Sequence, residues 1–282
     1  MNKRILIPTD FSSAALNASR YAMQLFAEVA IDFYLLNAYQ ISGYSVDSPF
    51  DPEPGDIAYQ AAKSTSEKQL AELLEHMSFH PQNPEHRFKT IASYNSLLHA
   101  AETAIAENDI DLVVMGTKGI TGAESLIFGT NAINLMEGIT NCPVLTIPED
   151  YGFQPPNEIV FPTDFKLDFK KKELQHLIEI ARINNAAIRV LHIEKNRELS
   201  RQQRNKRELL KAILEGTPNS FHVLKDRHVH NGIGAFVSSR DSQMIAFINR
   251  KHNLFSSLLS RPLVKEIGYH YKIPILALND QA

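Results

Sequence analysis

The tetrapeptide Pro-Thr-Asp-Phe occurs twice in this chain, at residues 8–11 and at residues 162–165. Each copy ends a short apolar run, and an amphipathic segment follows it. Two further apolar runs recur in the same order in each half, 33–38 with 188–193 and 142–147 with 273–278. Three landmarks in one order predict a duplicated domain, and a single large α/β domain is the alternative interpretation.

The length of the chain agrees with a duplication. Its 282 residues suit two domains of ordinary size, since a domain typically holds about 100–200 residues. A boundary is indicated by residues 148–157, where a glycine and two adjacent prolines interrupt the regular pattern. We therefore predict one domain at 1–149 and a second, shorter domain at 156–282.

Within the first half, short apolar runs alternate with amphipathic stretches. Strands are predicted near 5–7, 31–38, 86–92, 111–115 and 143–147. Helices are predicted to begin after Ser12 or Ser13 and after Asn95 or Ser96, because such side chains cap helix N-termini. Apolar strands alternating with helices are typical of a parallel sheet covered on both faces. The predicted fold class is α/β, with two tandem Rossmann-like domains, each a five-stranded parallel sheet flanked by helices.

A glycine pattern follows the fourth predicted strand, which ends at Met115. It reads Gly116-x2-Gly119-x9-Gly129-Thr130, with Lys118 inside it and Asn131 directly after it. Glycines let backbone amides approach an anion, and a helix N-terminus adds free N–H groups and partial positive charge. These are the parts of a phosphate cradle, although glycine turns without a ligand are an equally open alternative. The pattern matches neither the P-loop nor the dinucleotide-binding glycine motif.

Three parts of the chain together resemble the universal stress protein family. They are the glycine pattern, Pro8-Thr9-Asp10 at the end of the first strand, and residues 142–145, which read Cys-Pro-Val-Leu. The resemblance covers almost the whole chain as two tandem copies, and it implies a Rossmann-like fold of the HUP type. It also implies binding of ATP, or of ADP or AMP, with Mg²⁺ or Mn²⁺ as an accompanying cation.

The resemblance also implies roles for particular residues. Asp10 is expected to contact the adenosine part of the nucleotide with Pro8 and Thr9 beside it, and Ala38 is expected near adenine. Met115 belongs to the same expected nucleotide site. Ribose and phosphates are expected to be held by the glycine pattern and its neighbours: Gly116, Lys118, Gly119, Gly129, Thr130 and Asn131.

The family pairs its fifth strands across a dimer. Here the runs 143–147 and 274–278 are expected to pair within one chain, which gives a pseudo-dimer of the two domains and closes a sheet edge. A homodimer of whole chains is a second candidate assembly.

The second copy departs from the glycine pattern. An alignment of Pro143 with Pro274 places Phe247 at the position of Gly116, and it replaces the remaining motif residues Gly119, Gly129 and Thr130 by Arg250, Ser260 and Arg261. Asp164 is retained, although a strand-end aspartate also serves as a helix cap. We therefore expect one competent nucleotide site, in the first half, and a degenerate second half.

Three functions are open at this point. The first is a nucleotide-binding protein of stress response or signalling. The second is an enzyme with slow ATP hydrolysis or adenylyl transfer, for which the sequence assigns no catalytic residue. The third is an interaction scaffold with a vestigial site. The residues His228 and His230 suggest a metal on an extended segment, but nothing fixes further ligands, so no metal site is assigned.

Composition excludes several classes of function. With 29 Lys+Arg against 32 Asp+Glu, the net charge of −3 gives no footprint for general nucleic-acid binding. No apolar window reaches about 20 residues, so no membrane-spanning helix is expected. The single cysteine, Cys142, suits the reducing cytoplasm and is expected to be a buried structural thiol.

A basic stretch at residues 195–207 remains to be assigned. A basic helix can meet nucleic acid or a membrane surface. Because glutamates interleave with the cations and aromatic residues are absent, a solvated helix face is the favoured interpretation.

Overall fold

The computed structural model describes residues 2–41, 57–78, 83–117, 129–194, 198–226, 228–249 and 272–279. The strands there are β1 (Lys3–Pro8), β2 (Ile31–Tyr39), β3 (Arg87–Tyr94), β4 (Leu112–Gly116), β5 (Val144–Ile147), β6 (Glu158–Pro162), β7 (Ala187–Glu194), β8 (Asn219–Lys225), β9 (Met244–Asn249) and β10 (Ile275–Asn279). The helices there are α1 (Ser13–Leu25), α2 (Ile57–Ser78), α3 (Leu97–Asn108), α4 (Thr130–Gly138), α5 (Gln175–Ile183), α6 (Arg201–Ile213) and α7 (Val229–Arg240).

The ten strands form one sheet in the order β3-β2-β1-β4-β5-β10-β9-β6-β7-β8. The N-terminal half comprises β1–β5 with α1–α4, and the C-terminal half comprises β6–β10 with α5–α7. Within each half, neighbouring strands run parallel. Helices α1, α2, α5 and α6 pack on one face of the sheet, and α3, α4 and α7 pack on the other. The predicted α/β class with tandem Rossmann-like units is confirmed.

The two halves meet where β5 and β10 pair antiparallel, with Leu145 opposite Leu276. The predicted pairing of the fifth strands within one chain is therefore confirmed. Side chains add to the backbone ladder, because Thr146 donates its hydroxyl to the carbonyl of Ile275 at 3.3 Å. Cys142 lies buried beside this junction, as expected for a structural thiol, and burial raises its pKa. The junction leaves β3 and β8 as the outer strands of the sheet.

Local sequence explains the helix ends. The hydroxyl of Ser12 accepts the Ala15 N–H at the start of α1, and that of Ser96 accepts the His99 N–H at the start of α3. These caps agree with the predicted serine starts. At their C-terminal ends, α3 and α7 both stop at an aspartate in the left-handed region, Asp109 at φ 47° and Asp241 at φ 51°. The two halves therefore also share the way in which these corresponding helices end.

Residues after β5 run back across the N-terminal half. The amide of Asn17 on α1 donates to the carbonyls of Pro148 and Tyr151, each at 3.0 Å. The ring of Tyr21 lies 5.1 Å from that of Phe153. The segment between the two halves is therefore packed against α1 by hydrogen bonds and ring contacts.

The stretch that holds His228 and His230 is the start of a helix. His228 occupies the N-cap position of α7 without a side-chain cap hydrogen bond, and His230 lies in the first turn, so the prediction of an extended segment there is wrong. Val229 packs into the core, and its burial stabilises the helical conformation of this stretch.

Across the part of the chain that the structure describes, no helix is both long and apolar enough to cross a membrane.

Candidate functional site

The tetrapeptide Pro-Thr-Asp-Phe forms a tight turn at the carboxyl end of β1. The Thr9 hydroxyl accepts the Phe11 N–H at 3.0 Å, and one Asp10 carboxylate oxygen accepts the Ser12 N–H at 3.1 Å. Phe11 has φ 64°, an uncommon conformation for a residue with a side chain. The turn holds Asp10 half-buried at the rim of the sheet.

The second copy of the tetrapeptide forms the same turn. The Thr163 hydroxyl accepts the Phe165 N–H at 3.1 Å, the Asp164 carboxylate accepts the Lys166 N–H at 2.9 Å, and Phe165 has φ 55°. The shared tetrapeptide is thus explained by a local hydrogen-bonding pattern that both halves need. Its presence alone does not distinguish a nucleotide site from a structural turn.

A buried polar chain that sequence reasoning missed ties this turn to α2. The amide of Asn37 donates to the Thr9 carbonyl at 2.7 Å, and the Ser66 hydroxyl donates to the Asn37 side-chain oxygen at 2.7 Å. The available signal was a polar residue inside the apolar run 33–38. Asn37 thereby fixes the strand end next to Ala38, the residue expected near adenine.

Gly116 lies where β4 approaches the start of α1. A Cβ at this position would lie 2.7 Å from the backbone oxygen of Ala14, which is too close for any side chain. The absence of a Cβ therefore lets α1 pack directly on the end of β4. The glycine is required by packing whether or not a ligand is bound.

The start of α4 lies beside this strand end. The Gly129 N–H donates to the Thr117 carbonyl, which brings the residue before α4 to the residue after β4. Gly129, the N-cap residue of α4, has no side chain that could accept a hydrogen bond. The N–H groups in the first turn of α4 therefore have no side-chain cap. The Thr117 hydroxyl is buried and has no hydrogen-bond partner within the described residues. Unpartnered donors at one rim fit an anionic ligand.

Nine of the eleven residues predicted from the sequence to form the nucleotide site lie in the described part of the chain. Pro8, Thr9, Asp10, Ala38, Met115 and Gly116 lie at the carboxyl ends of the adjacent strands β1, β2 and β4, and Gly129, Thr130 and Asn131 lie at the start of α4. Thr130 and Asn131 are exposed there. Lys118 and Gly119 fall outside the described residues.

Further side chains at this rim were not foreseen. Glu149, just after β5, accepts the Ser13 hydroxyl at 2.8 Å, so a second carboxylate lies near the start of α1. Tyr39, Tyr59 and Tyr94 form an aromatic cluster at the ends of β2 and β3, with ring centroids 5.5–6.5 Å apart. Burial and the Tyr59 hydroxyl raise the pKa of Tyr39 to about 12. Asp10 and Glu149 are thus two carboxylates at this rim.

Strand registers identify which residues of the C-terminal half are counterparts of this site. Leu6 pairs with Val113 of β4, and its repeat partner Val160 pairs with Ile245 of β9. Counting onward from Val113 and Ile245 places Ile248, and not Phe247, opposite Gly116 in the repeat. The alignment from Pro143 was wrong by one residue, because the segment between the fourth and fifth strands is one residue shorter in the C-terminal half.

Larger side chains stand at these counterpart positions. Ala38, Met115 and Gly116 correspond to Ile193, Phe247 and Ile248. The first helix also differs, because the counterpart of Ser13 is Leu167, whereas α5 begins only at Gln175. Loss of the early helix turns removes the close approach that requires glycine in the N-terminal half.

Helix α6 covers the second turn. Gln203 donates from its amide to the Asp164 carbonyl at 2.7 Å, and Lys206 donates to the Lys166 carbonyl at 2.8 Å. His192, the counterpart of Asn37, contacts the Thr163 carbonyl through Nδ1 at 2.9 Å. The C-terminal half thus keeps the turn but fills its surroundings with protein side chains, in agreement with a degenerate copy.

A cavity elsewhere in the molecule lies apart from these residues. It has a volume of about 1220 Å³ and lies between the start of β1 and α5, where Lys3 contacts Glu179. Burial and nearby Lys3 lower the pKa of His176 in its wall. None of the sequence-predicted site residues lines this cavity. In the described part of the chain, no group of three His, Cys, Asp or Glu side chains is arranged to hold a metal.

Comparison with known proteins matches the N-terminal half to a protein family. A family model described as "Universal stress protein family" matches residues 1–148. The universal stress protein MJ0531 of Methanocaldococcus jannaschii is 28% identical over 150 residues, which are 51% of this chain and 81% of that protein.

Solved structures resemble the chain over nearly its full length. A universal stress protein from Archaeoglobus fulgidus DSM 4304 has a TM-score of 0.69 at 15% identity, with 98% of this chain and 96% of that chain covered. Protein PA1789 from Pseudomonas aeruginosa PAO1 has a TM-score of 0.62 at 15% identity, with 99% and 92% covered. At such identities these likenesses show a shared fold.

Proposed function

Because the chain belongs to the universal stress protein family, we propose that it binds one adenine nucleotide, ATP or its di- or monophosphate, in its N-terminal half. The observation that carries this proposal is the juxtaposition of the Asp10 turn, the close β4–α1 contact at Gly116 and the uncapped start of α4. Strand ends and a helix N-terminus at one rim are where parallel α/β sheets bind ligands.

The arrangement divides the nucleotide between two surfaces. The small side chain of Ala38 and the thioether of Met115 belong to the same face of the sheet, and they offer an apolar surface for a base. The first turn of α4, with Gly129, Thr130 and Asn131, offers N–H and hydroxyl donors for phosphate. Asp10 and Glu149 would hold an accompanying Mg²⁺ or Mn²⁺, which prefers oxygen ligands.

We propose binding rather than rapid turnover, in a stress-response or signalling role. The hydroxyl–carboxylate pair at the rim, Ser13 with Glu149, joins the start of α1 to the residues after β5, and we assign it a structural role rather than group transfer. A nucleotide that is bound but not hydrolysed stabilises the conformation that binds it. The population of that conformation therefore depends on the nucleotide concentration.

Equilibrium titration with ATP and Mg²⁺ tests the proposal. Gly129→Arg places a bulky side chain at the start of α4 and is expected to abolish binding. Gly152→Arg is the matched control, because Gly152 has open space around it and lies in the segment between the two halves. Absence of ATP binding by the natural chain, or equal binding by Gly129→Arg and Gly152→Arg, contradicts the proposal.

A further inference from the structure

The near-neutral net charge hides a strong division between the two halves. Residues 1–150 contain 8 Lys+Arg and 19 Asp+Glu, whereas residues 151–282 contain 21 Lys+Arg and 13 Asp+Glu. The C-terminal part therefore has a formal net charge of +8. The net charge of the whole chain therefore does not exclude a polyanionic partner for this half. The electrostatic potential at a surface depends mainly on the charges near it, because salt screens the distant ones.

Many of these cations lie on one connected surface, which we call the basic face. It joins α6 to the segment before α5, since Lys206 of α6 donates to the Lys166 carbonyl and lies 3.2 Å from Asp168. The exposed cations of the basic face are Lys170, Lys171, Lys172, Arg201, Arg204 and Lys211. Exposed carboxylates in the same region are fewer than the cations, and they are Asp168, Glu198, Glu208 and Glu215.

Apolar side chains interrupt the basic face. Leu209 of α6 is 43% exposed, and Val223 of the outer strand β8 is 53% exposed. They are two of the three large apolar side chains classed as exposed in the described part of the chain. Lys225, two residues after Val223 on β8, has a side chain that is 87% exposed.

The arrangement favours lipid over nucleic acid. Phe221, the aromatic ring next to α6, is stacked on Phe165 and covered by the Arg207 guanidinium at 5.4 Å, so it offers no free face for a base. The exposed cations of α6, Arg201, Arg204 and Lys211, stand on a helix face, whereas Lys171 and Lys172 line the cavity beside α5. Exposed apolar groups among cations are typical of surfaces that rest at the headgroup level of a bilayer.

We propose that the basic face adsorbs to membranes rich in anionic lipid. The attraction comes from Lys and Arg side chains near lipid phosphates, and Leu209 and Val223 contact the headgroup boundary. The interaction is peripheral and reversible, and it is independent of the nucleotide site in the other half.

Sedimentation with vesicles tests this proposal. The full chain is expected to sediment with vesicles of phosphatidylcholine mixed with phosphatidylglycerol, and not with phosphatidylcholine alone. Raising salt from about 0.1 M to about 1 M shortens the Debye length from about 10 Å to about 3 Å and is expected to release the protein. Failure to sediment with the anionic vesicles at low salt overturns the proposal.

Two variants with the same net charge locate the surface. Arg204→Glu with Lys211→Glu reverses two exposed cations of α6, and binding is expected to fall at least about tenfold. Lys63→Glu with Lys68→Glu makes the same charge change on α2 of the acidic half and is expected to have little effect. Circular dichroism verifies that both variants fold, and equal losses in the two variants overturn the proposal.

A third variant separates lipid from nucleic acid. Leu209→Ser with Val223→Ser is expected to weaken vesicle binding and to leave any binding of a short single-stranded RNA unchanged. If RNA binds at tenfold lower protein concentration than the anionic vesicles, or if this variant binds vesicles as well as the natural chain does, the lipid assignment is wrong.

Discussion

Gly116 shows how a single residue can serve two demands. Its missing Cβ lets the backbone of α1 pack against β4, and this contact brings the early start of α1 to the rim where the predicted nucleotide site lies. In the C-terminal half both features are lost together, since Ile248 replaces the glycine and α5 starts late. Packing alone therefore explains Gly116, and this glycine by itself is weak evidence for a ligand.

Gly116→Ala is expected to destabilise the fold, because the new methyl group would lie 2.7 Å from the Ala14 backbone oxygen. Overpacking of this kind typically costs about 1–3 kcal/mol in the free energy of unfolding. Urea denaturation measures the loss. Gly152→Ala adds the same methyl group in open space, so a loss as large in this control would show that the Ala14 contact is not the cause.

The Glu158 carboxylate is expected to make the stability of the fold depend on pH. Hydrogen bonds from Arg240, and then from Arg189, lower its pKa from 4.5 to about 2. A lowered carboxyl pKa stabilises the fold above the unfolded value of 4.5, and this stabilisation is lost as pH falls through about 2.

Between pH 5 and pH 2, the natural chain is therefore expected to lose about 1 kcal/mol more unfolding free energy than Glu158→Gln, once solvent screening is allowed for. Thermal unfolding across this pH range measures the difference. Parallel pH profiles for the two proteins would show that the Glu158 carboxylate contributes no pH-dependent stability.

At the scale of elements, local signals were sufficient for much of the fold. Apolar runs located the strands, and serine caps located the starts of α1 and α3. The chain of hydrogen bonds from Thr9 through Asn37 to Ser66 could not be predicted, because it depends on how α2 packs over β2. The register of β9 was missed for a similar reason, since a one-residue change in a connecting segment is invisible without its pairing partners.

Ser66→Ala tests the tie between α2 and the site. It leaves the buried Asn37 side-chain oxygen without its donor, which is expected to cost about 1–3 kcal/mol and to weaken ATP binding. Thr65→Ala is the matched control, because Thr65 is exposed and its hydroxyl donates to the Ala61 carbonyl within α2. Chemical denaturation and ATP titration of both variants give the two readouts. Equal effects at Ser66 and Thr65 would contradict this role for α2.

At the scale of the whole molecule, duplication has been followed by divergence. One continuous ten-stranded sheet joins halves that keep the same strand order and the same turn after their first strands. They differ in what surrounds that turn and in the sign of their charge. We therefore propose nucleotide binding by the acidic N-terminal half and membrane attraction by the basic C-terminal half.

The most direct test compares the two turns within one molecule. Asp10→Asn and Asp164→Asn each keep an oxygen that can accept the local backbone N–H but remove the carboxylate charge. In a calorimetric titration with ATP and Mg²⁺, we expect one nucleotide per chain, clearly weaker affinity for Asp10→Asn and unchanged affinity for Asp164→Asn. Two nucleotides per chain, or equal losses in the two variants, would contradict this expectation.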